Sequence, residues 1–329
     1  GKDWLQELRS EGEKWKINPP SDFRLRPNMK NTYDGEYHGF KKQVAVETKE
    51  ITRIAYLGKK HQLAALEKGM LDYEDLNVNK INLPNSRKDL IKNILAVQKA
   101  EDGKYLILPN KLTQSPFLND WRHDVSLEFY LDIETCTNHD INLLFDITVP
   151  KSNPMKNRVF MIGIGYRIGK EDFQFKSFIA NKLAMEEEEK IMDLAINFIR
   201  DLESKYNLGK AANIYHWGNI EKTLLTKINN RHDNKWGELN LCNFYQLLLD
   251  SNFAITSCYN LRLKDITKAL YKYGLVDILW DESNPCSDGK SAMILAEQLY
   301  QNIPSKIIPT HPTMINIEKY NKIDCLATG

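Results

Sequence analysis

Two acidic side chains, Asp132 and Glu134, end an otherwise apolar stretch of the sequence, LEFYLDIET at residues 127–135. The stretch predicts a buried central strand, and because alternate residues of a strand face the same side, both carboxylates share one face. Carboxylates on a shared face repel each other and lose hydration when they are buried. A divalent cation between them would relieve this repulsion, and oxygen ligands suit Mg²⁺ or Mn²⁺. The alternative is a strand that simply ends in a polar loop.

Further residues of suitable chemistry follow later in the chain. Glu221 lies in the first turn of a predicted helix, directly after a strand predicted at residues 212–216. Tyr320 and Asp324 are four residues apart on the predicted final helix, so their side chains lie on one face of it. Acids therefore occur at the first strand, just after the fourth strand and on the last helix.

The elements between these residues alternate strands and helices. Strands are predicted at residues 127–135, 158–168, 172–179 and 212–216, a long insertion or loop at residues 136–157, and helices at residues 185–206, 219–228, 241–250, 261–270, 288–301 and 313–328. The acidic run Glu186–Glu189 is interpreted as a helix cap and a solvated face, not as a metal site. This order resembles the ribonuclease-H-like arrangement, an α/β fold in which a mixed sheet is flanked by helices and carboxylates converge at one edge.

The chain is long enough for about two domains. Residues 1–120 are predicted to form a small, mainly helical region, and residues 121–329 the ribonuclease-H-like domain. The chain lacks an initiator Met and ends just after a predicted helix, which leads us to expect a fragment of a longer protein.

A basic turn in the first region suggests contact with a nucleic-acid backbone. Residues 51–75 predict two helices around a turn, which resembles a degenerate helix-hairpin-helix with one glycine in place of two. Gly58 would let backbone N–H groups approach a phosphate, and Lys59 and Lys60 would add positive charge. The alternative is a plain helical pair with a solvated basic turn.

Composition excludes some classes of protein. The chain is 42% hydrophobic and has a net charge of +1, so it carries no global basic signal for nucleic acid, although local patches can still hold phosphate. Its five cysteines form no C-x-x-C pair, which argues against a zinc site or a disulfide framework. We therefore expect a reducing, intracellular location, either cytoplasmic or nuclear.

The motifs together resemble the DEDD superfamily of 3′–5′ exonucleases in its Y-x-x-x-D subtype. They resemble more closely the YprB-type ribonuclease-H-like domain of predicted RecB-family nucleases. The resemblance rests on FYLDIET at residues 129–135, IYHWGNIEKTLL at 214–225, YNLRLKDITKAL at 259–270 and YNKIDCLAT at 320–328.

This resemblance implies a two-metal phosphodiesterase. The implied ligands of two Mg²⁺ or Mn²⁺ ions are Asp132, Glu134, Glu221 and Asp324. Tyr320 would orient the attacking water or help to deprotonate it. Glu221 stands where most members have Asp, and its extra methylene leaves direct and indirect coordination both open.

The resemblance also bears on the substrate. The expected activity is 3′–5′ exonucleolytic hydrolysis of DNA or RNA with single-stranded 3′ ends, and the expected partner is an upstream PD-(D/E)xK nuclease domain. His216 and Trp217 could stack on a terminal base, although Trp217 could equally belong to the core and His216 to a solvated loop. The alternative functions are a catalytically weak nucleic-acid-binding module that supports a neighbouring nuclease or helicase domain, and a structure-selective endonuclease.

Overall fold

The structure is a computed structural model, and it describes residues 2–32, 34–101, 103–112, 126–136, 158–206 and 211–329. The α-helices within these residues are α1 (Lys2–Glu11), α2 (His38–Glu47), α3 (Lys59–Leu66), α4 (Asn85–Val97), α5 (Met185–Lys205), α6 (Ile220–Arg231), α7 (Phe244–Asp250), α8 (Leu263–Lys272), α9 (Gly289–Asn302) and α10 (Pro312–Thr328). The strands are β1 (Ile107–Leu108), β2 (Leu127–Cys136), β3 (Arg158–Ile168), β4 (Gln174–Ile179), β5 (Asn213–His216), β6 (Leu241–Asn243) and β7 (Ala254–Ile255). Nearly all of the predicted insertion, and the predicted boundary near residue 120, lie outside the described residues.

The chain folds into two compact units. The first contains Gly1–Leu112 together with Leu248–Tyr273, and the second contains Thr113–Leu247 together with Gly274–Gly329. The division expected after residue 120 misses this return of the chain to the first unit. The return includes β7, which pairs with β1 in a two-stranded antiparallel sheet. Pairing between segments so far apart leaves no trace in the local hydrophobic pattern.

The second unit is built on a mixed five-stranded sheet with the order β4-β3-β2-β5-β6. β2 pairs antiparallel with β3 and parallel with β5, and it therefore lies at the centre of the sheet. The predicted hairpin of β3 and β4 is confirmed. Residues 241–250 were predicted to be wholly helical, but the first three form β6, which pairs parallel with β5. A three-residue strand is too short to show a period.

The two faces of β2 have different partners. The odd-numbered residues from Leu127 to Ile133 belong to an apolar cluster shared with α5 and α6. The even-numbered residues, among them Asp132 and Glu134, point to the other face of β2. The helices α9 and α10 pack on that face. Strand alternation thus separates the apolar core from the acids, as the sequence predicts.

Close approach of α10 to the sheet depends on a glycine. Gly163 lies opposite Asp132 in the register of β2 and β3. A Cβ atom added to Gly163 would lie 1.6 Å from Oδ1 and 2.8 Å from Cγ of Asn321 on α10, so no larger residue fits unless Asn321 or its helix moves. The glycine therefore sets how near α10 comes to the acidic face of β2.

Glu188 corrects the interpretation of the acidic run as a solvated face. Its side chain is 1% exposed and accepts hydrogen bonds from Nε and Nη2 of Arg231 at 2.6 Å. Arg158 lies 3.3 Å from the same carboxylate, His232 lies at 3.0 Å, and the backbone N–H of Val159 donates at 2.9 Å. The sequence pattern failed here because the compensating cations come from β3 and from the end of α6.

The first unit does not contain the predicted helix-hairpin-helix. The segment before Gly58 forms only a short 3-10 helix, Ile51–Arg53, so the first helix of the motif is missing. Gly58 caps α3, and its backbone N–H donates to Nδ1 of His61 at 3.2 Å. That N–H therefore already has an acceptor within the protein.

A search of the described residues for a helix of the length and apolar character needed to cross a membrane finds none.

We expect Gly163→Ala to lower the free energy of unfolding by about 1–3 kcal/mol, the usual cost of overpacking, because the new methyl group overlaps Asn321. Urea unfolding followed by circular dichroism would measure the change. Gly289→Ala is the matched control, since no atom lies within 4 Å of a Cβ at that position. Equal stabilities of the two variants would contradict the proposed role of Gly163.

Candidate metal centre

Three carboxylates meet where β2 faces α10. One oxygen atom from each of Asp132, Glu134 and Asp324 lies within 4.8 Å of the others. Glu134 is 6% exposed, and the other two are partly buried. The structure therefore brings the predicted strand pair and the acid of the last helix into one cluster, which we call the acidic triad.

The electrostatics of the acidic triad are unfavourable without a cation. Burial raises the pKa of Asp132 well above its usual value, and the charges of Glu134 and Asp324 raise it further. Glu221 contributes to the same rise in pKa. Close carboxylates of this kind resist simultaneous ionisation, because each charge disfavours the next.

Two hydrogen-bond donors hold the triad in place, and the sequence analysis missed both. Nδ2 of Asn321 donates to Oδ2 of Asp132 at 2.6 Å. Nε1 of Trp280 donates to Oδ1 of Asp324 at 2.7 Å. Asn321 could have been found, because it lies three residues before Asp324 on the same helix face. Trp280 lies in a loop and carries no sequence signal that links it to the site.

Tyr320 lies beside the triad, as its spacing from Asp324 predicts. It is 6% exposed, and burial raises the pKa of its phenol well above 10, with further contributions from Asp324, Glu134 and Asp132. The phenol is therefore protonated at neutral pH and acts as a hydrogen-bond donor.

Glu221 lies outside the triad. It is 7% exposed, and its Oε2 lies 3.3 Å from Nδ1 of His216. The structure therefore places Glu221 near enough to affect Asp132 electrostatically, but with a histidine as its polar partner.

His216, predicted either to stack on a base or to lie in a solvated loop, ends β5 instead. It is 1% exposed, and its Nδ1 faces Glu221. Trp217 is partly exposed, and its ring packs near Phe244 and Tyr245, with centroids 6.1 and 6.4 Å away. One side of Trp217 is thus part of an aromatic cluster.

Lys59 and Lys60, the predicted phosphate contacts, begin α3 in the first unit. Lys59 is partly buried, and desolvation lowers its pKa, whereas Lys60 is exposed.

Comparison with protein-family models, with curated proteins and with solved structures found no significant match to this chain.

The triad fits a hard divalent cation. Carboxylate oxygens are the ligands that Mg²⁺ and Mn²⁺ prefer, and three of them converge here from two rigid elements. Burial, and then the charges of Glu134, Asp324 and Glu221, raise the pKa of Asp132, and a cation would stabilise its ionised form. The site could therefore bind a metal ion.

We expect Asp132→Asn to raise the free energy of unfolding of the metal-free protein at neutral pH by about 0.5–2 kcal/mol, in the range of other stabilising substitutions. The pKa of Asp132 is raised in the folded state, so the folded protein holds this proton more tightly than the unfolded chain. Ionisation therefore costs stability as the pH rises above the ordinary carboxyl value of about 4. The advantage of the variant should be small below that pH and should grow towards neutrality, as urea unfolding at several pH values would measure.

Asp201→Asn, at an exposed position on α5, is the matched control and should change stability little at any pH. In a separate thermal-unfolding measurement, Mn²⁺ should raise the melting temperature of the wild type and of the control but not that of Asp132→Asn. An equal rise in all three proteins would exclude the triad as the metal site.

Proposed function

We propose that this protein is a divalent-cation-dependent nuclease of the ribonuclease-H-like fold that removes nucleotides from the 3′ ends of DNA or RNA. The observation that carries the proposal is the meeting of Asp132, Glu134 and Asp324 within 4.8 Å, next to a buried tyrosine. These residue types and their order along the chain are those of the Y-x-x-x-D exonucleases that the sequence resembles.

The sheet topology supports the proposed fold. The first strand of a ribonuclease-H-like sheet is central and carries the first acids, as β2 does between β3 and β5. Glu221 follows β5 directly, and Asp324 comes from the last helix of the unit. The motifs that resemble the Y-x-x-x-D exonucleases occur in this same order along the sequence.

In the proposed mechanism, Asp132, Glu134 and Asp324 hold the divalent cations. When bound, such cations stabilise the negative charge on the attacking and leaving oxygens of a phosphodiester. Asn321 and Trp280 fix the carboxylates of Asp132 and Asp324 through their N–H groups.

Tyr320 would orient the attacking water or help to deprotonate it, as the resemblance implies. Its position beside the triad supports this role, because Asp324, Glu134 and Asp132 all act on the pKa of its phenol.

The pair of Glu221 and His216 favours indirect participation by Glu221. The imidazole of His216 takes part of the hydrogen-bonding capacity of this carboxylate. Because Glu221 pairs with His216, three carboxylates rather than four form the compact cluster. This supports the alternative of a catalytically weak nucleic-acid-binding module.

The activity can be tested on single-stranded DNA and RNA oligonucleotides labelled at either end. With Mn²⁺ or Mg²⁺, we expect release of labelled mononucleotide from 3′-labelled strands, progressive shortening of 5′-labelled strands, and no reaction in EDTA. Asp132→Asn should lower the rate by about 100-fold or more, because it removes a ligand and a charge. Tyr320→Phe should lower it by about 100-fold, a typical effect for a group that handles a proton or a reacting water.

The control variant is again Asp201→Asn, which should keep the wild-type rate. Intact 3′ ends on all substrates in Mn²⁺, or equal rates for Asp132→Asn and the wild type, would refute the proposal. Cleavage of circular single strands would instead indicate an endonuclease. Tight binding that EDTA does not weaken, without any cleavage, would favour the binding module.

A further inference from the structure

The first unit contains a strongly basic pocket. Much of its lining comes from residues far along the chain from the predicted Gly58–Lys60 turn. Its volume is about 390 Å³, and all of its lining residues belong to the first unit. One carboxylate, that of Asp265, lines the pocket. The six Lys and Arg side chains that line it are Lys30, Lys42, Arg53, Arg262, Lys268 and Lys272. We call this the basic pocket.

The cations of the basic pocket come from segments that only the fold brings together. Lys42 lies on α2, and Arg262 lies directly before the first residue of α8. Lys268 and Lys272 are one turn apart on α8, on the same helix face. Lys42, Arg262, Lys268 and Lys272 are exposed, so their charges are accessible to a ligand. Arg53 is partly buried, and the ammonium group of Lys30 is partly desolvated.

Much of this positive charge has no counter-ion among the residues that the structure describes. In the described part of the chain, no ion pair includes Lys30, Lys42 or Arg262. The nearby carboxylates of Asp34 and Glu50 are engaged with other cations, Asp34 with Lys41 and His38, and Glu50 with Arg26. The pocket therefore concentrates like charges that an anion would stabilise.

Lys30 shows most directly the effect of like charges in the basic pocket. Its Nζ donates to the carbonyl oxygen of Ile54 at 2.9 Å, which fixes the ammonium group at the pocket. Desolvation, followed by repulsion from Arg262, lowers its pKa to about 8. An anion bound between Lys30 and Arg262 would remove this repulsion.

Phosphate is the anion that best matches these donors. A guanidinium group forms paired hydrogen bonds to phosphate oxygens, and ammonium groups add charge from several directions. The volume exceeds that of a single phosphate group and suits a nucleotide or a short piece of sugar–phosphate backbone.

We propose that the basic pocket binds the phosphate groups of a nucleic-acid strand or of a free nucleotide, with Lys30, Lys42 and Arg262 as the principal contacts. This site does not depend on the nuclease activity proposed for the second unit. It also replaces the Lys59–Lys60 turn as the main phosphate contact of the first unit.

The test uses the full 329-residue chain in EDTA, so that binding is measured without cleavage. The probes are a fluorescent single-stranded oligonucleotide and a fluorescent nucleoside triphosphate, titrated at several salt concentrations. The double variant K42Q/R262Q changes two exposed cations of the pocket. The control K80Q/K99Q makes the same change in net charge at two exposed lysines of the same unit that lie outside the pocket.

For a strand as the ligand, we expect K42Q/R262Q to weaken oligonucleotide binding by about tenfold or more. The salt dependence should weaken: the magnitude of the slope of log affinity against log salt should fall by about 1.4, about 0.7 for each lost contact to a single strand. The control should change affinity by less than about twofold. Weakened binding of the triphosphate alone would instead support a free nucleotide as the ligand. If K42Q/R262Q weakens neither ligand more than the control does, the proposal is wrong.

Discussion

Mutual repulsion among buried carboxylates is the constraint around which the second unit is arranged. Asp132 has a raised pKa because burial and the charges of Glu134 and Asp324 act together on it. Such a cluster persists only if the rest of the unit holds it in place. The apolar face of β2 supplies that support through its core with α5 and α6. Gly163 supplies it on the other face, because it lets α10 come close enough to place its acid.

The same unit contains a buried acid whose charge is fully compensated. Glu188 is surrounded by two arginines, a histidine and a backbone N–H, so its burial needs no ligand. Asp132 accepts a hydrogen bond from the amide of Asn321 and has a backbone hydrogen bond with Ile133, but the charged neighbours that act on it are acidic. Buried ion networks of the first kind are structural, whereas a buried acidic cluster without cations is typical of a site that binds something positive.

The near-zero net charge of the chain conceals a division of charge between the units. The cations of the basic pocket belong to the first unit, and the acidic triad belongs to the second. A protein that acts on a polyanion with the help of metal ions needs both kinds of site, because phosphate binds to cations and metal ions bind to carboxylates. Composition averages the two and therefore shows neither.

The sequence by itself determined which residues share a face. Strand alternation put Asp132 and Glu134 together, and the four-residue spacing put Tyr320 beside Asp324, since both follow from local backbone geometry. It also predicted the β3–β4 hairpin, whose strands are long and apolar. Only the tertiary structure decided how near the strand acids and the helix acid come, that residues 248–273 return to the first unit, and which cations face each other in the basic pocket. These features depend on contacts between segments far apart in the chain, and no local period in a sequence records such contacts.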